Sequence, residues 1–167
     1  MPTFPNATYW SNEAHWKWAV HPNEREKASF LKENILPIQE SGKLKFIDVP
    51  NGSEGRLPET KFTDNISVRF VSGHTDNMML PQVKHKGKTI VFMADLLPSQ
   101  GHIPLPYVMA YDMFPLTTLK EKKAFLQEAL EGEYILFFEH DPVYECCTLK
   151  QTEKGIRPSE FFTLDSI

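Results

Sequence analysis

Apolar and polar positions alternate most regularly in the middle of the chain. Ile66, Val68 and Phe70 alternate with Ser67 and Arg69, which predicts a half-buried strand ending at Gly73-His74. Residues 78–83 and 89–93 are two further apolar runs. They flank Lys84-His85-Lys86-Gly87-Lys88, so the basic segment reads as the turn of a hairpin. Leu119, Phe125, Leu126, Ala129 and Leu130 recur at helical spacing, with Thr118 and Glu121 set as a capping box and Gly132 as the stop. Residues 134–138 are continuously apolar, as a buried strand is, and deliver Glu139-His140-Asp141. Residues 143–149 and 161–164 predict further strands.

The first part of the chain is less regular. Thr8-Tyr9-Trp10 reads as a strand, and Ser11 as the cap of a helix running to Val20. Pro22 breaks the chain. Asn23 and Glu26 then resemble a second capping box, before a helix carrying Ala28, Leu31 and Ile35 and disturbed by Pro37. Ser41-Gly42 predicts a turn and 44–49 a strand. Residues 50–60 are rich in proline, glycine and charge and read as a loop or boundary. Residues 99–115 hold three prolines and predict a long structured loop, a type that often carries function.

A chain of 167 residues with 41% hydrophobic content can bury one proper core. Its net charge of −4 argues against a nucleic-acid partner. No run approaches the roughly 18 apolar residues of a membrane span, so no membrane role is expected. No signal peptide is visible. The two cysteines, Cys146 and Cys147, are adjacent and cannot staple a fold; they read as small apolar strand residues. A cytoplasmic location follows as the expectation.

Three polar residues share one context. His74, Asp95 and His140 each follow an apolar strand, and strand ends of one sheet can converge. Imidazole nitrogen and carboxylate oxygen suit zinc, iron or manganese. Singly, each is more often a loop residue or a turn cap; the repetition is what points to metal. His102, in the loop with Pro104, Pro106 and Tyr107, reads equally as a substrate-facing residue, a ligand-orienting residue or a plain surface histidine. Trp10, Trp16 and Trp18 could wall an apolar pocket, with core packing the favoured reading.

The order strand–Gly-His-Thr, strand–Ala-Asp-Leu, strand–Glu-His-Asp resembles the second half of the metallo-β-lactamase superfamily. The lactonase-like and organophosphate-hydrolase-like branch is the nearer match. Phe4-Pro5-Asn6-Ala7, Glu13-Ala14-His15-Trp16, the segment 30–37 and the stretch 94–111 add to it. The resemblance implies an α+β fold, part of a four-layer αββα sandwich, with the first half truncated (1–60) and the second complete (61–167). It implies that His74 binds one metal, His140 a second, and Asp95 bridges them. Two ions so held would activate water to hydrolyse an ester, lactone or related bond of a small-molecule substrate.

The family's His-x-His-x-Asp-His motif is absent, and His15, His21, His85 and His102 do not reproduce its spacing. On this resemblance the chain begins after the motif. The leading expectation is therefore the C-terminal portion of a metallo-hydrolase, with an exposed apolar sheet face that drives homo-oligomer formation. The alternatives are a non-catalytic binding or assembly domain that keeps the fold without metal, and an enzyme holding one metal on His74, Asp95 and His140.

Overall fold

The computed structural model describes residues 2–53 and 55–167. They form two compact units, divided between Val49 and Pro50. The sequence pattern marks 50–60 as a loop or boundary, and the resemblance divides its two halves at residue 60. Residues 57–61 belong to the second unit, because Leu57 enters its core and Glu59–Lys61 pairs with one of its strands.

The first unit holds β1 (Tyr9–Ser11), α1 (Glu13–Val20), α2 (Lys32–Glu40) and β2 (Leu44–Phe46). The two short strands pair in parallel, Tyr9 opposite Leu44 and Ser11 opposite Phe46. Ser11 is not the helix cap. Asn12 is, and its side chain accepts from the His15 N–H at 2.8 Å. Asn23 Oδ1 accepts from Arg25 and Glu26 N–H groups, but the chain there makes turns rather than a helix. The helix proper starts at Lys32, after Ala28, and runs through Pro37. None of the three tryptophans is fully buried. Trp10 is 40% exposed under Lys45 Nζ, Trp16 donates to Gln39 and Trp18 to Glu26. Trp16 and Trp18 are partly buried, each with its indole N–H satisfied.

The second unit is a seven-stranded mixed sheet with one long helix. Its strands are β3 (Glu59–Lys61), β4 (Ile66–Val71), β5 (Met78–His85), β6 (Lys88–Phe92), β7 (Ile135–Phe137), β8 (Cys146–Thr152) and β9 (Gly155–Phe162). They lie in chain order, antiparallel except for the parallel pair β6–β7. Helix α3 (Pro115–Glu131) is in the crossover that this parallel pair requires. The predicted basic turn is the β5–β6 hairpin. Lys86 and Gly87 both take positive φ, 49° and 77°, the requirement of a two-residue turn that matches the strand twist.

Phe125, Leu126 and Ala129 of α3 join Leu80, Val91, Leu136 and Cys147 in one core. The stripe differs from the predicted one in a telling way: Thr118 and Lys122 are buried with it. Thr118 and Glu121 form no capping box, because α3 already starts at Pro115, a residue preorganised for a first helical turn. Gly132 does close the helix. The last two predicted strands are displaced: β8 keeps its expected length but starts at Cys146, and β9 starts at Gly155 and is longer than expected. Residues 150–160 form the β8–β9 hairpin although their polar side chains hide the pattern. Both cysteines are free and buried on β8, and burial raises their thiols to about 11 and about 12. On the second sheet face Val68, Phe70 and Ile135 are buried, while Pro81 and Val83 reach solvent.

Candidate metal centre

Three chain segments carry the predicted site residues beyond strand ends of one sheet. His74 follows β4 in the turn after Gly73. That turn lies against α3: Glu121 accepts from the N–H groups of Ser72 and Gly73 at 2.7 and 3.0 Å. Burial pushes the Glu121 carboxyl upward, against the lowering effect of those two donors. A side chain at Gly73 would overlap the backbone nitrogen of Thr118, so only glycine fits.

Asp95 follows β6. The residue before it, Ala94, has a φ of 41°, an uncommon value for a non-glycine residue and a local strain that redirects the chain after the strand. His140 follows β7, and its N–H donates to the Pro98 carbonyl at 3.0 Å, which ties it to the segment after Asp95. Asp141 fixes the same corner by accepting from the N–H groups of Gln100, Val143 and Tyr144. Partial burial would raise its carboxyl, but these donors hold it below the ordinary range.

The three predicted residues meet. His74 Nε2 lies 3.4 Å from Asp95 Oδ2, and His140 Nε2 lies 3.5 Å from Asp95 Oδ1. Each imidazole faces a different oxygen of one carboxylate. Both separations exceed the usual 2.7–3.2 Å of an N–H···O bond. They lie within ion-pair range, and imidazole nitrogen beside carboxylate oxygen is a donor set that would suit zinc. Among the described residues no three His, Cys, Asp or Glu side chains close on a single point as a metal cage does. His74, Asp95 and His140 are thus the donors that this chain could offer a metal, in two pairs that share the Asp95 carboxylate.

Asp112 completes the arrangement, and nothing in the sequence pattern marks it. Its Oδ1 lies 2.9 Å from His74 Nδ1, and its side chain is 1% exposed. A carboxylate on one ring nitrogen holds the proton there and presents the other nitrogen to metal. Asp112 arrives because residues 113–114 return alongside the His74 turn. The Met113 N–H donates to the His74 carbonyl and the Phe114 N–H to the Gly73 carbonyl. Its Oδ2 is buried without a hydrogen-bond partner among the described residues.

No described hydrogen bond or ion pair joins His102 or Tyr107 to this cluster, although Asp112 and Asp95 are near enough to His102 to favour its charged form. His102 Nδ1 is 2.9 Å from Ser99 Oγ, and burial, then Lys122, lowers its pKa. Tyr107 is 60% exposed. Lys122 from α3 holds their loop, donating to the carbonyls of Pro104, Leu105 and Tyr107 at 3.3, 3.2 and 2.5 Å. Its complete burial is not legible in the sequence, since a lysine in a helix reads as solvent-facing.

No family model and no curated protein matches the sequence. Solved structures do. A probable metal-dependent hydrolase from Staphylococcus aureus superposes with a TM-score of 0.79 at 21% identity, over 98% of this chain and 55% of its own. A dizinc quorum-quenching lactonase with a bound product gives 0.70 at 20% identity, over 96% and 57%. A hydrolase of the beta lactamase superfamily gives 0.72 at 18% identity, over 96% and 57%. These neighbours are metal-dependent hydrolases of the metallo-β-lactamase superfamily, and the chain has the corresponding fold over about half of their length. Among the described residues no helix is long and apolar enough to cross a membrane.

Proposed function

We propose that His74, Asp95 and His140 are this chain's share of a two-metal hydrolytic centre, with zinc the first choice of ion and iron or manganese chemically acceptable. The observation that carries the reading is the pairing of each histidine with a separate oxygen of Asp95. Bound at such a centre, the ions supply Lewis acidity and an activated water for cleaving an ester, lactone or related bond. The chain's own contribution is positional. Asp112 fixes the His74 tautomer, Asp95 spans the two halves of the site, and the His140 backbone is anchored to Pro98. His102 and Tyr107 are the residues of the adjoining loop proposed to face a small-molecule substrate. The remaining ligands of a full two-metal set are not found in this sequence, which lacks His-x-His-x-Asp-His. Pairing of chains through apolar surface such as Val83 belongs to the same proposal. So does a cytoplasmic location, which two free, buried thiols suit.

A second reading, a binding or assembly domain that keeps the fold without metal, is favoured by the absence of a three-donor cage among the described residues. Equilibrium dialysis against zinc separates the two. Saturable uptake of up to about two ions per chain, lost in the triple variant H74A/D95A/H140A, is expected of the metal centre. No uptake, or equal uptake by the triple variant, overturns it.

A further inference from the structure

A cleft lies where α3 meets the β8–β9 hairpin and the loop after His102. It encloses about 680 Å³, within the roughly 300–1,000 Å³ typical of small-molecule sites. Its accessible floor is apolar, formed by Leu105, Pro106 and Ile156 over the buried Ile103 and Leu126. Four cations border it, Lys120 and Lys123 from α3 and Lys154 and Arg157 from the hairpin. No described carboxylate lines the cleft, and none forms an ion pair with any of the four among the described residues. Arg157 spends one donor on the Ile156 carbonyl at 2.7 Å and keeps the rest of its guanidinium clear of described partners. The protein as a whole is acidic, so this concentration of unmatched positive charge around an apolar floor is local.

We propose that this cleft binds a single-chain anionic amphiphile, its apolar chain along Leu105, Pro106 and Ile156 and its carboxylate or phosphate head among Lys120, Lys123, Lys154 and Arg157. An apolar ligand without charge would gain nothing from the four cations. A small hydrophilic anion would leave the floor wet. The proposal is independent of the metal centre, which uses none of these residues.

Calorimetric titration with dodecanoate and dodecyl phosphate, below their micelle concentrations, tests it. Saturable binding of both is expected, with dodecanol at least about tenfold weaker. K123E/K154E should weaken dodecanoate by about tenfold or more and leave the circular dichroism spectrum unchanged. A124W, which fills the cleft and leaves every charge in place, should abolish binding. Absence of saturable binding overturns the proposal, as does equal binding of dodecanol or indifference to both variants. Vesicles containing anionic phospholipid distinguish a membrane source of the head group from a free one, and either supports the site. Two results would assign it a different occupant and overturn the proposal: tighter binding of poly-glutamate than of dodecanoate, or a dimer that K123E/K154E dissociates without ligand.

Discussion

The Asp112 carboxylate lies 2.9 Å from His74 Nδ1, on the ring nitrogen opposite the one that faces Asp95. The two residues are 38 positions apart, and backbone pairing of 113–114 with 73–74 joins them. D112N keeps the shape and removes the charge. It should lower zinc affinity by about 10- to 100-fold while the far-ultraviolet spectrum stays unchanged. Competition with a chromophoric chelator measures this, and an unaltered affinity would remove Asp112 from the site.

Gly73 carries the second prediction. A methyl group there would collide with the Thr118 backbone, and helix backbone cannot swing aside as a side chain can. G73A should cost about 1–3 kcal/mol in urea denaturation. It should also reduce metal uptake, because the displaced turn carries His74.

Lys122 makes stability depend on pH. Burial lowers its pKa to about 8, below the 10.5 of a free lysine. Between those values the unfolded chain binds more protons than the folded one, so stability rises with pH across that window. The gain is lost again as pH falls back to about 8. Relative to K122M, which cannot titrate, the wild type should therefore gain stability from pH 8 upward and level off near 10.5. Thermal melts of both proteins across that window read the difference; a constant gap would refute the assignment.

The Arg69 side chain is 2% exposed and makes a two-pronged pair with Glu128 at 3.0 and 2.7 Å. It also bonds Gln82 at 2.8 Å and lies 3.2 Å from Glu59. R69M removes one partner and strands the others, which should cost about 3–5 kcal/mol. Arg69 is remote in sequence from Asp95 and His140, and no described contact joins it to His74, Asp95, Asp112 or His140. Zinc affinity of the folded R69M protein should thus match the wild type, a combination that separates scaffold from site.

Much of the second unit is written in the sequence. Strand alternation in 66–70, the apolar runs around 84–88 and the continuous apolar stretch 134–138 specify their elements locally, because side-chain period alone sorts faces. The same local order sets His74, Asp95 and His140 beyond strand ends. Resemblance of three short motifs carries the fold, and the fold comparison agrees with it. The polar strands 150–160 are not legible, since a hairpin lying at a sheet edge needs little apolar alternation.

What only the tertiary structure decided concerns polar groups whose partners are distant in sequence. Thr118 and Glu121 have the spacing of a helix cap, yet packing against 72–73 turns Glu121 into an acceptor for another segment's N–H groups. Lys122 has the chemistry of a surface residue, yet three loop carbonyls surround it inside the protein. Asp112 sits in an unremarkable loop until backbone pairing places it on His74. Local sequence determines the period and the ends of elements, because those depend on neighbours in the chain. Which buried polar atoms satisfy one another depends on how the elements pack, and no window of sequence contains both partners.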